Sequence, residues 1–238
     1  DKAKIDASAA EYLKLQGIET MPYEKAEAFL AKVKNDTILL DPNKTSDTIA
    51  RTIQNCQVIY KASPIAIMKA VKNDTQIAGV RNAMVRDGVA LVKLYMWLEE
   101  NAPKGNFTEM DVAEKLIEFR KASPLYVGES FGMIAGYKEH GAIVHYEADE
   151  KSASTISAEG MLLIDTGAQY LDGTTDITRT ISLGKTTAEE RHDYTLVLKG
   201  HLTLGHAIFP TGTRGSQLDA LARQFLWKEC KTYWHGTG

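Results

Sequence analysis

The sequence predicts a protein of mixed helices and strands, of α+β or α/β class, and three observations lead to that prediction. Helix-like and strand-like stretches alternate over residues 1–62. Two longer amphipathic helices follow, and after Ser130 the pattern changes to short extended runs separated by glycine-rich or polar turns. Helices return near Thr187, so helices and a mostly antiparallel sheet occupy successive parts of the chain.

Composition narrows the possible functions. The 238 residues could form one large domain or two small ones, and 44% hydrophobic residues allow a substantial core. A net charge of -3 and a pI near 6.1 argue against the basic surface that nucleic acid requires. The apolar runs are far shorter than the roughly 20 residues of a membrane span. Cys56 and Cys230 match neither a metal-binding spacing nor a disulfide framework, which favours a reducing, cytoplasmic location.

The first 62 residues have the pattern of a small α/β unit. Three helices are predicted: the first ends at Gly17, and the other two span residues 23–33 and 46–54. The predicted strands span residues 37–40 and 56–60. Asp41-Pro42 and Ser63-Pro64 are expected to break the chain.

A long helix is predicted from Asp74 onward, and residues 103–106 are expected to end it. Its apolar residues recur at three-, four- and seven-residue intervals: Ile77, Val80, Met84, Leu91, Tyr95 and Leu98. Thr108 is placed to cap a second helix, with Asp111 three residues further on. Two more helices are predicted over residues 187–209 and 215–229.

Strands are predicted over residues 142–146, 161–165, 176–183 and 231–238. In the third of these, Asp176, Thr178 and Thr180 share one face, and Ile177 and Ile181 share the other. The last predicted strand runs into His235-Gly-Thr-Gly. We expect the chain to be part of a longer protein, cut at both ends.

Asp165 and Asp176 flank a turn inside a predicted hairpin. If Asp172 and Gly173 formed a two-residue turn, Asp165 would lie about 13 Å further along the strand than the residue opposite Asp176. A wider loop would place the two aspartates directly opposite each other, with Cβ atoms about 5 Å apart. Only that wide loop brings the carboxylates together, and divalent cations would then offset their repulsion.

A structural interpretation of the same two residues remains open. Asp165 would then be an aspartate at a loop entry, and Asp176 would pair with Arg179 or cap a turn. The histidines are equally ambiguous, since His145 and His235 are each either structural or able to hydrogen-bond a substrate carbonyl.

The remaining histidines are weaker candidates. His140 is expected to be exposed in a polar loop. His201 and His206 are five residues apart, which is not the spacing of a helical zinc site.

Several segments, in this order, resemble the three-domain aminopeptidase P family. They are Ser130-Phe-Gly-Met-Ile, Gly141-Ala-Ile-Val-His145-Tyr, the stretch 165–180 with its Asp176-Ile-Thr-Arg-Thr string, Phe209-Pro-Thr-Gly-Thr-Arg-Gly215, and His235-Gly-Thr-Gly238. The resemblance covers residues 63–238. It implies an α+β pita-bread fold, like that of methionine aminopeptidase, prolidase and creatinase, and release of an N-terminal residue that precedes proline. Residues 1–62 would be the C-terminal part of a second, non-catalytic α/β domain, and residues 63–238 the first portion of the catalytic domain.

The resemblance also implies roles for particular residues. Asp165 looks like a ligand of one metal ion and Asp176 like the bridge between two, commonly Mn²⁺, with Co²⁺ or Zn²⁺ as alternatives. A hydroxide shared by the two ions would attack the peptide carbonyl before proline. His145 and His235 resemble the histidines that contact substrate and stabilise the tetrahedral intermediate. The role of Thr178 does not come from the resemblance: because it shares a strand face with Asp176, we expect its hydroxyl to donate a hydrogen bond to that carboxylate.

The family's other metal ligands are a histidine and two glutamates that lie beyond Gly238, so we expect this chain to be inactive by itself. Its substrates would be peptides with proline at the second position, and a homodimer through the catalytic domain is possible. Two alternatives remain. One is a prolidase or creatinase-like hydrolase, and the other is a non-catalytic pita-bread module that binds peptides or proteins.

Overall fold

The structure, a computed structural model, describes residues 4–53 and 55–236. It divides into two compact units, the first ending at Lys72 and the second beginning at Asn73. The sequence-based boundary lies ten residues earlier, and the assignment of the two parts as domains stays a prediction. Within the described ranges, no helix combines the length and apolar character that crossing a bilayer requires.

The first unit is built on a pair of parallel strands. Its helices are α1 (Ala7–Leu15), α2 (Ala26–Leu30), α3 (Asp47–Thr52) and α4 (Pro64–Ala70), and its strands are β1 (Thr37–Leu40) and β2 (Gln57–Tyr60). Thr37 lies opposite Gln57 in the β1–β2 pair, so the predicted α/β pattern is confirmed. The break predicted at Ser63-Pro64 is confirmed, since it separates β2 from α4, and Ser63 Oγ accepts a hydrogen bond from the Ile65 amide at the start of that helix.

The second unit begins with two long helices and continues through short strands. Its helices are α5 (Asp74–Asn101), α6 (Glu109–Lys121), α7 (Ala188–Gly205) and α8 (Gly215–Trp227). Its strands are β3 (Phe107–Thr108), β4 (Tyr126–Glu129), β5 (Ile134–Tyr137), β6 (Thr155–Ile156), β7 (Met161–Thr166), β8 (Ala168–Tyr170), β9 (Gly173–Thr174) and β10 (Ile177–Ser182). All strand pairs within this unit's sheets are antiparallel, which confirms the predicted sheet.

The two helix starts follow from local sequence. Asn73 and Gln76 form a capping box at the start of α5, and Thr108 and Asp111 form one at the start of α6. In each box, the side chain of the residue before the helix accepts a hydrogen bond from an otherwise unpaired amide of the first turn. The predicted cap at Thr108 is therefore confirmed.

The buried face of α5 differs from the predicted apolar stripe. Leu91 and Leu98 are buried as expected, but Ile77, Val80 and Met84 are exposed. The buried positions in the first half of the helix are Gly79, Ala83 and Asp87. Small residues allow a neighbouring turn to approach, and Asp87 is held by a buried partner, so hydrophobicity alone does not identify this face.

The core lies between these helices and the sheet ordered β10-β7-β5. Burial alternates along β7, with Leu162, Ile164 and Thr166 buried and the residues between them half-buried. Leu94, Leu98, Val112 and Leu116 from α5 and α6 belong to the same core cluster as Leu162 and Ile164. Asp165 therefore points to the face of the sheet that the core does not cover.

Two predicted strands are wrong. In the predicted strand 142–146, Ala142 ends a 3-10 turn (Lys138–Ala142) and residues 143–145 bend and turn, with His145 in the left-handed region at φ +54°. Residues 231–236 form no strand. Thr237 and Gly238, which complete the predicted last strand and its glycine motif, lie outside the described residues.

The hairpin that carries both aspartates has neither of the two predicted registers. Tyr170 pairs with Gly173, so the two-residue turn is Leu171-Asp172, one position earlier than expected. The same register continues into β7 and β10, where Asp165 lies opposite Thr178. The hairpin is shared between two sheets, since β8 and β9 belong to a sheet in which β8 pairs with β4, while β7 and β10 belong to a sheet in which β7 pairs with β5. The residues of the turn alone do not predict that the hairpin is divided between two sheets.

Close approach of this turn to α5 depends on Gly79. A Cβ atom on Gly79 would lie 2.2 Å from the carbonyl oxygen of Asp172, whereas a Cβ atom on Gly88 would have no neighbour within 4 Å. We expect Gly79→Ala to lower the free energy of unfolding by about 1–3 kcal/mol through overpacking. Gly88→Ala, the matched control in the same helix, should raise it by about 0.5–1 kcal/mol. Urea unfolding checks both, and equal effects of the two variants would contradict the close contact.

Candidate functional site

A cavity of about 640 Å³ opens on the face of the sheet that carries Asp165. The residues that line it come from β5, β7, β10 and the position just before β10, the turn after β5 and the segment that follows α8: Ile134, Gly141, Ala142, Ile143, Val144, His145, Leu163, Asp165, Asp176, Thr178, Thr232, Tyr233, Trp234 and His235. All five site residues predicted from the sequence are in this set. The cavity therefore brings together His145 and His235, which are 90 residues apart in the chain.

The two aspartates are diagonal neighbours on one face. Asp165 lies opposite Thr178, and Asp176 precedes Thr178 by two residues. Diagonal neighbours of this kind have Cβ atoms roughly 7 Å apart. The wide loop that the sequence argument required is wrong, but the carboxylates still line the same cavity, and Asp165 is half-buried while Asp176 is exposed.

Thr178 contacts a different aspartate from the one expected. Its hydroxyl donates a hydrogen bond of 2.8 Å to Asp165 Oδ1. The register explains the change, since directly opposed residues are closer than residues two apart along one strand. Arg179, the alternative partner considered for Asp176, donates instead to the Thr178 carbonyl at 2.7 Å.

The two predicted histidines meet in the cavity. The rings of His145 and His235 lie with centroids 5.9 Å apart and planes at 87°, in an edge-to-face arrangement. Both residues are exposed. His145 adopts a backbone conformation that costs a non-glycine residue energy, so its neighbours must hold it there.

Glu109 anchors Tyr146, the residue that follows His145. This fully buried carboxylate accepts a 2.9 Å hydrogen bond from the Tyr146 hydroxyl and others from the Tyr137 and Ser154 amides. The His140 ring also contacts it at 2.9 Å, so the prediction of an exposed His140 is wrong. Burial raises the pKa of the Tyr146 hydroxyl, which keeps it protonated and able to donate.

Arg223 of α8 holds the segment that contains His235. Its guanidinium donates to the carbonyl oxygens of Tyr233 at 2.9 Å and His235 at 2.7 Å, and it lies over the Tyr233 ring. Asp219, one turn earlier, accepts from Arg223 Nε at 2.6 Å, and that hydrogen bond raises the pKa of Arg223. The segment is thus fixed by a helix rather than by strand pairing.

A buried ion pair beneath the aspartates was missed by the sequence argument. Arg120 donates to both carboxylate oxygens of Asp87, at 2.7 and 3.0 Å, and both side chains are fully buried. A signal was available, because Asp87 occupies a core position of α5 between Ala83 and Leu94, and Arg120 extends the buried row of α6 after Leu116. A charged residue at each of two core positions indicates a buried pair.

The donors in the cavity suit hard divalent cations only in part. Carboxylate oxygens are the ligands that such ions prefer, and imidazoles add possible nitrogen donors. Across the described ranges, however, no group of three or more His, Cys, Asp or Glu side chains is arranged to hold a metal ion. The described residues therefore offer an incomplete set of ligands, which further donors would have to complete.

Solved structures share this arrangement of helices and strands. X-prolyl aminopeptidase from Caenorhabditis elegans, described as a cytosolic enzyme with a di-nuclear active site, is similar with a TM-score of 0.88 and 33% identity over 96% of this chain and 39% of that one. Prolidase from Pyrococcus furiosus matches with a TM-score of 0.70 and 21% identity over 92% of this chain and 64% of that one, a similarity of fold alone. The fold is the pita-bread fold of creatinases and aminopeptidases.

Family models give a more specific assignment. Metallopeptidase family M24 matches residues 78–238, and the creatinase/prolidase N-terminal domain matches residues 1–76. The chain belongs to metallopeptidase family M24.

Curated relatives are named as aminopeptidases of the same kind. Aminopeptidase P2 of Arabidopsis thaliana is 36% identical over 100% of this chain and 38% of its own length. A probable Xaa-Pro aminopeptidase P of Aspergillus niger is 49% identical over 76% of this chain and 30% of its own length. The chain thus spans well under half the length of these relatives.

The Arg223 contacts predict how the two cavity histidines respond to a change outside the cavity. Arg223→Gln should release the carbonyls of Tyr233 and His235 and separate the two imidazole rings. In proton NMR spectra, the C2 proton signals of His145 and His235 should then lose the shifts that each ring induces in the other. Asp219→Asn, which leaves both carbonyl contacts in place, should change these signals less. Identical spectra for Arg223→Gln and the parent would show that α8 does not position His235.

Proposed function

We propose that this chain contributes part of the active site of a metal-dependent aminopeptidase that releases an N-terminal residue preceding proline. The observation that carries the proposal is the cavity in which Asp165 and Asp176 meet His145 and His235. Membership of metallopeptidase family M24 supports it, as do the names of the curated relatives, which are Xaa-Pro aminopeptidases P. The substrates would be peptides with proline at the second position.

Asp165 and Asp176 are the residues of this chain that would hold divalent cations, with Asp176 as the shared ligand and Mn²⁺ as the proposed ion. Bound dications of this kind supply a Lewis acid and lower the pKa of a water molecule toward neutrality. Thr178 would keep Asp165 oriented, because its hydroxyl already donates to one carboxylate oxygen and leaves the other available.

His145 and His235 would bind the substrate. Both rings are exposed in the cavity, so an N–H of either ring could donate to a peptide carbonyl oxygen placed there. A donor in that position stabilises negative charge as it develops on the oxygen. Tyr146, which follows His145, is anchored by Glu109, and the backbone carbonyl of His235 is held by Arg223, so the backbone that carries each ring is fixed by protein contacts.

The same resemblance supports two further proposals. We propose a cytoplasmic location, since the similar enzyme of Caenorhabditis elegans is described as cytosolic. Homodimerisation through residues 63–238 stays a prediction, and sedimentation equilibrium tests it.

Asp176 is the sharpest test of the catalytic proposal. In the native gene product, Asp176→Asn should abolish release of the first residue from a tripeptide with proline at position two and leave the circular dichroism spectrum unchanged. The amide keeps the side chain's size but removes the charge that would hold two cations. Asp149→Asn, which changes an exposed carboxylate that does not line the cavity, should keep the parent rate.

Three results would contradict the proposal. Near-parent turnover by Asp176→Asn would remove that residue from the site. Equal cleavage of the peptide with alanine at position two would contradict the substrate class. If the protein cleaved dipeptides that end in proline but did not cleave longer peptides, that result would favour a prolidase instead.

The 238-residue chain by itself should bind Mn²⁺ weakly and should not cleave peptides. Two carboxylates leave most of a cation's coordination to water, and the described ranges contain no third ligand group in place. Water-proton relaxation during Mn²⁺ titration should show fast-exchanging binding that is lost in Asp165→Asn/Asp176→Asn. Proline-dependent cleavage by the purified 238-residue chain would overturn this expectation.

A further inference from the structure

The segments that carry Asp165 and Asp176 are hydrogen-bonded to α5 and α6 through one buried group of side chains. Thr166 follows Asp165 directly, Thr175 precedes Asp176 directly, and both threonines are fully buried. Arg120 Nη1 donates to Thr166 Oγ1 at 2.9 Å. Thr175 Oγ1 donates to Asp87 Oδ2 at 2.6 Å. One ion pair thus contacts the neighbour of each aspartate.

This buried contact is rigid because Asp87 and Arg120 each make several hydrogen bonds. Arg120 binds Asp87 through two parallel N–H donors, the geometry that fixes orientation best. The Tyr170 hydroxyl donates to the same carboxylate at 3.1 Å, and burial followed by the charge of Asp87 raises the pKa of that hydroxyl. Arg120 also contacts Glu129, so the cation faces two carboxylates. Rearrangement of any member would leave a buried polar group without a partner.

Thr175 also links the two aspartate segments to each other. Its Oγ1 accepts the Ala168 amide at 2.9 Å, and its own amide donates to the Ala168 carbonyl at 2.9 Å. Between Thr166 and Ala168, a Cβ atom on Gly167 would lie 2.1 Å from the Thr175 carbonyl oxygen. The backbones approach this closely only because residue 167 is glycine.

We propose that the buried Asp87–Arg120 pair is a positioning device that sets the separation and direction of the Asp165 and Asp176 carboxylates through Thr166 and Thr175. The inference rests on the proposed function, since it assigns the separation of the carboxylates to metal binding. Asp87, Arg120 and Thr175 act through their neighbours and do not line the cavity. Partners that orient metal ligands in this way typically contribute about 10–100-fold to metal affinity.

Thr175 offers the cleanest test, because replacing Arg120 or Asp87 would leave a buried charge unpaired and endanger the fold. Thr175→Val keeps the shape and removes the hydroxyl, while Thr175→Ser keeps the hydroxyl. In the 238-residue chain, Mn²⁺ titrated alone should bind about tenfold more weakly to Thr175→Val and within about twofold of the parent to Thr175→Ser.

A control separates positioning from stability. Tyr137→Phe also removes a hydroxyl, which donates to the Glu159 carbonyl at 2.9 Å, away from the two aspartates. It should lower the urea midpoint about as much as Thr175→Val and leave Mn²⁺ affinity unchanged. If the two variants weaken Mn²⁺ binding equally, or if Thr175→Ser does not restore it, the role of Thr175 is only structural and the inference is wrong.

A second readout needs no metal. In the metal-free chain, Thr175→Val should speed amide hydrogen exchange at Ala168 and shift the amide NMR signals of Asp165 and Asp176, whereas Thr175→Ser should do neither. Changes confined to Thr175 and Ala168 would overturn the positioning inference. Absence of saturable Mn²⁺ binding by the parent chain would overturn the proposed metal site instead, so the two failures are distinguishable.

Discussion

The pairing of β7 with β10 is the constraint on which the site depends. Because side chains alternate along a strand, β7 places Leu162 and Ile164 in the core and Asp165 in the cavity. A slip of one residue would exchange the two faces and bury a carboxylate where apolar side chains now pack. Burying each of those apolar side chains contributes about 1.5–3 kcal/mol, so the core holds the aspartate on its side of the sheet.

Where local physics suffices, the sequence predicts the structure. The cap at Thr108, the extent of β1 and the opposite faces of β10 each depend on residues within a few positions, and all three are confirmed. The five predicted site residues line one cavity. Four of them were assigned from a resemblance to a family and Thr178 from the strand face it shares with Asp176, and their metal-binding and catalytic roles stay proposals. Propensity and alternation alone left Asp165, Asp176 and both histidines equally open to structural explanations.

The failures share one cause, which is contact between residues distant in sequence. The turn at Leu171-Asp172 is placed where Gly79 allows close approach, and residues 142–146 are turned because Tyr146 reaches the buried Glu109. Thr175 and Asp87, which meet beneath the aspartates, are 88 positions apart. An apolar-looking run such as 142–146 has the composition of a strand, and only its tertiary partner makes it a turn.

The number of donors around each acid distinguishes the structural carboxylates from those available to a ligand. A carboxylate has about four lone-pair sites. Asp87 accepts from two donors of Arg120, from Tyr170 and from Thr175, and Glu109 is surrounded as fully. In the described parts of the chain, Asp165 accepts a hydrogen bond from Thr178 and Asp176 accepts none. The buried acids therefore have no acceptor capacity left, whereas the cavity acids keep the lone pairs that a cation needs.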